Sequence, residues 1–226
     1  MDTAKQGSDG HMQPGVGAVK VQAKIAPQTP LLPPHQRHCG DPVRVGPYIV
    51  LAGGTRDLIS ADLEKADVLV PLTGSVPFGF GRRYEVLAAP MQDFGGVPIG
   101  WQEFLEGEIL PELARGRCLL VFCMGSHGRT GTFLASLIAL LESAEETPDP
   151  IAAVRERHCD EAVETLKQAE AIFAIRGEPL PAQYKKEFAP RTLLGLTSCF
   201  LGKGPSNPSS EKPVGIKVTS YKVDSD

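Results

Sequence analysis

Residues 119–141, LLVFCMGSHGRTGTFLASLIALL, change character twice within a few positions. Leu119 to Phe122 form an unbroken apolar run, the pattern of a strand covered on both faces. Cys123 ends that run, and after five intervening residues comes Arg129. Beyond the bend, Phe133, Leu134, Leu137, Ile138 and Leu141 recur with helical spacing and mark a core-facing stripe. A buried strand passing through so short a bend into a buried helix requires a layered α/β structure.

The rest of the chain agrees with that class. Strands are predicted at residues 48–53 (YIVLAG), 67–73 (DVLVPLT), 84–91 (YEVLAAPM) and 117–123 (RCLLVFC). Helices are predicted at 56–66, 99–114, 130–143, 150–158 and 161–176, with Pro111 expected to break or kink the second. The fold class expected is a central, mostly parallel sheet of four to five strands flanked by helices. Residues 1–41 and 191–226 are rich in Gly, Pro and polar residues. They are read as an extended arm and a flexible C-terminal extension around a domain at 42–190.

The 226 residues, 42% hydrophobic and with a net charge of −4, suit one globular domain with tails. That charge gives no bulk attraction for nucleic acid or membrane surfaces. No run is apolar enough to span a bilayer, and no cleavable signal pattern is expected. The five cysteines are odd in number and include no C-x2-C metal pair, so reduced thiols and a cytoplasmic setting are expected; export without a cleaved signal stays open. No cofactor and no metal are called for.

The bend itself suggests chemistry. A loop at a strand's carboxyl end turns backbone N–H groups toward one spot, and the next helix adds its own free N–H groups and positive dipole end. Gly125 and Gly128 are expected to let the backbone curl through positive φ. Arg129 offers a planar fork for two oxygens of an anion. A cysteine on the floor of such a cradle, held as an anion by its surroundings, is placed to attack a bound phosphoryl group.

CMGSHGR resembles the C-x5-R phosphate loop of cysteine-dependent protein tyrosine and dual-specificity phosphatases. The extension GRTG most resembles the cell-division-cycle and kinase-associated branches. The resemblance implies a protein tyrosine phosphatase-like fold and a phosphorylated protein or peptide as substrate. It implies Cys123 as nucleophile, Arg129 as phosphate and transition-state ligand, and a Thr130 hydroxyl that hydrogen-bonds the departing thiolate. Residues Met124, Gly125, Ser126, His127, Gly128 and Arg129 would line the phosphate.

Expelling an alcohol or phenol also needs a proton donor, and a carboxylic acid on a mobile loop meets that need. Asp93, in APMQDFGGVP, follows a strand, precedes glycines and stands thirty positions before Cys123, where the family keeps its general acid. Glu85 is a less well placed competitor. In VRERHCDEAVETLKQAEAIF, which resembles the family's C-terminal region, Gln168 matches a glutamine that positions hydrolytic water in some members.

Departures from the family's pattern are specific. Phe122 stands where the family usually has histidine, and Ser126 where it usually has glycine. These features favour an alternative, a phosphoprotein-binding module without turnover. RNA triphosphatase and lipid phosphatase chemistry, and sulfur transfer of the rhodanese type, are further alternatives. Arg82 and Arg83, and the run YKKEF, are read as solvated surface. Cys39, Cys118, Cys159 and Cys199 are read as inert thiols, any of which would be a candidate to trap an oxidised Cys123.

Overall fold

The computed structural model describes residues 37–74 and 84–189. Five strands form one sheet in the order β1-β2-β5-β3-β4. Strands β1 (Cys39–Val45) and β2 (Tyr48–Gly54) are an antiparallel hairpin turned at Gly46, whose φ is +56°. Strands β3 (Val68–Pro71), β4 (Glu85–Val86) and β5 (Leu119–Cys123) run parallel, with β5 seated between β2 and β3. The helices are α1 (Ser60–Leu63), α2 (Trp101–Phe104), α3 (Leu110–Ala114), α4 (Gly128–Leu141), α5 (Pro150–Arg157), α6 (Leu166–Ile175) and α7 (Ala182–Glu187). This is the mostly parallel, helix-flanked sheet expected from the strand and helix order.

The central strand sorts its side chains by the two-residue period of a pleated backbone. Leu119, Val121 and Cys123 join the larger core cluster, with Phe133, Leu137 and Ile172 from the helices. Leu120 and Phe122 face the other way, against Leu51, Leu63 and Leu69. Phe122 is therefore core on the α1 side, which explains an apolar residue immediately before the cysteine. Helix α4 is buried on almost every side, as an apolar helix must be when it is wrapped by sheet and neighbours.

Several elements differ from the expectation. Strand β1 begins inside the segment read as an arm, because Gly, Asp and Pro disguise an edge strand that makes only one set of ladder bonds. Helix α1 keeps one turn of the eleven residues predicted; the chain before it is a turn in which the Asp57 and Leu58 N–H groups bond the Gly54 carbonyl. Strand β4 is two residues long, yet Leu87, Ala89 and Met91 continue to donate to Leu69, Pro71 and Leu72. Pro111 does not break its helix: α2 passes through a π-helical turn (Leu105–Ile109) into α3, and Pro111 falls in the first turn of α3, where its missing N–H costs little.

The run YKKEF is not merely solvated. It lies in and just after α7, where Tyr184 is 3% exposed and its hydroxyl donates to the Asp149 carboxylate that caps α5. At the far end of α4, Glu142 accepts from the Gly46 N–H at 2.8 Å, from Thr147 and from Arg157, tying the β1–β2 turn to the helical layer. A cleft of about 540 Å³ lies there, walled by Arg44, Leu141, Glu142 and Arg157. Glu142 and Arg157 are paired across it, and the cleft contains no cysteine. Cys199, Arg82 and Arg83 lie outside the described residues, as do nearly all of residues 1–41 and the whole of 191–226. Among the described residues no helix is long and apolar enough to cross a membrane.

Candidate active site

Ladder bonds bring the carboxyl ends of three parallel strands together at Cys123. In register, Gly54 lies opposite Cys123 and Pro71 opposite Phe122; Thr55 N–H donates to the Cys123 carbonyl at 2.8 Å, and Leu72 N–H to that of Phe122 at 2.9 Å. A Cβ at Gly54 would stand 2.9 Å from the Met124 carbonyl oxygen, so only glycine lets the bend pack this closely on β2. The extended bonding beyond β4 then carries residues 87–91 along β3 and delivers Asp93 to the same edge.

The bend curls back on its own sulfur. Ser126 N–H donates to Cys123 Sγ at 3.2 Å, and Cys123 is 3% exposed. The left-handed position that the curl needs is occupied not by Gly125 or Gly128 but by Ser126, at φ +68° and fully buried. A β-carbon makes that conformation unfavourable by about 1 kcal/mol. His158 holds it, its Nε2 lying 2.7 Å from the Ser126 carbonyl oxygen and 3.2 Å from its hydroxyl. Burial, the largest influence on His158, pushes its pKa down against the hydrogen bond to the Ser126 carbonyl.

Arg129, in the first turn of α4, is 8% exposed and directs one nitrogen to the Asp93 carboxylate at 3.0 Å. Another nitrogen lies 3.4 Å from the Met91 carbonyl oxygen. The two residues singled out for phosphate binding and acid catalysis are therefore in direct contact. Glu85, the competing acid, is paired with Arg117. Thr130 Oγ1 is buried and has no hydrogen-bond partner among the described residues. The His127 imidazole is 7% exposed, with Nδ1 3.1 Å from Cys159 Sγ.

Glu164, a residue the sequence reading passed over, completes the constellation. Its carboxylate accepts from the Gly128 N–H, and a Cβ at Gly128 would fall 1.8 Å from Glu164 Oε2. Burial, and next the neighbouring Asp93, raise the Glu164 pKa against the opposing pull of Arg129. Gln168 is fully buried beneath it, accepting from the Glu164 N–H at 2.8 Å, while its Nε2 has no hydrogen-bond partner among the described residues. Arg155 fixes this connection from the other side by donating to the carbonyls of Ala162 and Val163, the latter at φ +66°. Thr165 Oγ1 donates to the Gly95 carbonyl at 3.1 Å and so joins the connection to the Asp93 loop. The described cysteines, Cys39, Cys118, Cys123 and Cys159, are all free thiols.

No family model matches the chain. It is 38% identical over 94 residues to the uncharacterized protein MJECL20 of Methanocaldococcus jannaschii, a match that covers 42% of this chain and 61% of that protein. The uncharacterized protein MJ0215 of the same organism is 34% identical over 94 residues, covering 42% of this chain and 57% of the relative. The chain thus spans about three fifths of the length of the curated relatives it matches. Among solved structures it is similar to Tk-PTP in its active form, with a TM-score of 0.49 and 23% identity, covering 59% of this chain and 95% of that one. It is also similar to kinase associated phosphatase with its catalytic-site cysteine replaced by serine, with a TM-score of 0.46 and 16% identity, covering 67% and 99%.

Proposed function

We propose that the protein is a phosphatase that hydrolyses phosphomonoesters through a phosphocysteine intermediate on Cys123. One observation carries the reading. The loop that wraps the Cys123 sulfur has two anion-binding groups, the Arg129 guanidinium and the Gly128 N–H, and each already holds a carboxylate. A tetrahedral dianion replaces those carboxylates with phosphoryl oxygens above the sulfur.

In this mechanism the Cys123 thiolate attacks phosphorus as the substrate oxygen leaves. Asp93, displaced from Arg129, takes up the proton carried in by the phosphomonoester monoanion and passes it to the leaving oxygen. The loop N–H groups of residues 124–129 and the Arg129 fork take up the charge that develops on the equatorial oxygens. Water then cleaves the phosphocysteine, with Asp93 as the base. Thr130, whose buried hydroxyl has no hydrogen-bond partner among the described residues, turns to the departing sulfur. Gln168 acts at this stage through Glu164 and the water beside it.

Phosphotyrosine is the preferred substrate, with phosphoserine and phosphothreonine next. Phe94, beside Asp93, and Met124, beside Cys123, are 68% and 44% exposed and offer apolar surface to an aromatic leaving group. A second assignment of the acid rests on Glu164, which lies against the Gly128 N–H and whose pKa is raised by burial and next by Asp93. Hydrolysis of p-nitrophenyl phosphate by the full chain and by Cys123→Ser tests the function. The parent turns over and the variant does not, with folding confirmed by circular dichroism. Vanadate binding by a parent chain that shows no turnover identifies a binding module instead.

A further inference from the structure

We propose that His38, His127 and Cys159 form a zinc-binding site that braces the Cys123–Arg129 loop from outside the catalytic pocket. The three side chains come from the lead-in to β1, the loop itself and the α5–α6 connection. All are buried, at 1%, 7% and 2% exposure. One donor atom from each lies within 4.8 Å of the other two. Zn–N bonds of about 2.0–2.1 Å and Zn–S bonds of about 2.3 Å set ligand-to-ligand edges of roughly 3.3–3.7 Å in a tetrahedral site. The His127 Nδ1 to Cys159 Sγ distance of 3.1 Å is already near such an edge. His38 completes the set from within 4.8 Å and closes toward the metal on binding.

A second observation points to a ligand. His38 Nε2 is buried with no hydrogen-bond partner among the described residues, while its Nδ1 lies 3.3 Å from the Asp41 carboxylate. A carboxylate on one imidazole nitrogen fixes the tautomer that presents the other as a lone pair, the arrangement that orients histidines toward metals. A thiol–imidazole hydrogen bond would account for His127 and Cys159 as a pair, but it leaves His38 Nε2 unexplained. Two imidazoles and a thiolate suit zinc rather than magnesium or calcium.

His158 lies outside this group of donors; its Nε2 is engaged by Ser126, its Nδ1 is buried with no hydrogen-bond partner among the described residues, and its ring packs 4.6 Å from that of His38. Glu161, 3.6 Å from His127 Nδ1, or a water fills the fourth position. On binding, a Zn–S bond replaces the Cys159 S–H bond and the proton passes to solvent. The metal then joins the loop carrying Cys123, the connection carrying Glu164 and the start of β1 in one rigid unit.

The test uses the full chain with Cys123→Ser, stripped of metal by a chelator and titrated with Co2+ and then Zn2+. One equivalent of Co2+ gives a thiolate-to-cobalt charge-transfer band in the near ultraviolet and strong visible bands of tetrahedral geometry, and Zn2+ bleaches both. Adding Cys159→Ser or His38→Ala removes the stoichiometric binding, and one equivalent of Zn2+ raises the melting temperature of the Cys123→Ser chain only when both residues are present. Absence of the thiolate band in the Cys123→Ser chain, whatever the fate of the other variants, overturns the proposal. So does a band that persists in the Cys159→Ser variant. Because these readouts need no turnover, the zinc site and the phosphatase mechanism stand or fall separately.

Discussion

The Asp93 carboxylate is 62% exposed and lies 3.0 Å from an Arg129 guanidinium that is 9% exposed. The exposed partner sits on a loop beside two glycines, and the buried one stands in the first turn of the central helix. In the proposed mechanism an entering anion takes Asp93's place on Arg129, and the displaced carboxyl group reaches the leaving group. On that mechanism, binding and proton delivery are coupled through this ion pair.

Asp93→Asn therefore has opposite effects on binding and turnover. It removes the competing carboxylate, so vanadate binds at least as tightly as to the parent. It also removes the proton donor, so kcat falls by about a hundredfold or more on phenyl phosphate and much less on p-nitrophenyl phosphate, whose leaving group needs little protonation. Glu164→Gln lowers kcat for both substrates by the same factor if Glu164 only shapes the pocket. A loss confined to phenyl phosphate in Glu164→Gln, with Asp93→Asn indifferent to the leaving group, transfers the acid role to Glu164. Steady-state kinetics on the two substrates decides the matter.

The left-handed backbone at Ser126 predicts an unusual order of stabilities. Ser126→Ala keeps a β-carbon at φ +68° and loses the hydroxyl contact to His158, costing about 1–2 kcal/mol. Ser126→Gly loses the same contact but gains about 1 kcal/mol of relieved strain, so it is the more stable of the two by roughly that amount. Urea denaturation of the parent and both variants measures the order. Alanine equal to or better than glycine contradicts this account of the loop.

Acid sensitivity follows from Glu142. Burial works against its ionisation, but hydrogen bonds from Arg157, Thr147 and the Gly46 N–H outweigh it and hold the carboxyl down at about 2, from an ordinary 4.5. A carboxyl lowered in the folded state contributes stability that is complete above its unfolded value and disappears as pH falls through its folded one. The window is therefore pH 4.5 down to about 2, and the contribution is as much as about 3 kcal/mol. Glu142→Gln is less stable than the parent at neutral pH, and the gap narrows across that window in denaturation curves. A gap that is constant with pH contradicts the assignment.

What could be read from the sequence was what lies contiguous in it. The β5–bend–α4 unit is one continuous stretch from Leu119 to Leu141, with Cys123 and Arg129 in its first eleven residues, and Asp93 follows a strand thirty positions before Cys123. Phe122 was legible only as a departure, because which face of β5 meets α1 is settled by packing and not by local pattern. Glu164 and His158 were illegible as parts of the loop, since α5 and α6 bring them back from 32 or more residues away. The same is true of the His38, His127 and Cys159 cluster, whose spacing matches no metal motif. Gln168 was legible only through its match to the family's C-terminal region, and its full burial under Glu164 comes from packing. Strand β4 and helix α1 were predicted too long because apolar alternation marks burial along an extended or turning chain as well as regular structure.

The central claim is that phosphorus passes through the Cys123 sulfur. Rapid acid quenching of the enzyme during turnover of an aryl phosphate, followed by proteolysis and mass spectrometry of the peptide containing Cys123, tests it most directly. The account predicts a phosphoryl group on Cys123 that accumulates in the parent and is absent in Cys123→Ser, which also shows no turnover. Sustained hydrolysis by Cys123→Ser, or turnover of the parent with the phosphoryl group on another residue, contradicts it.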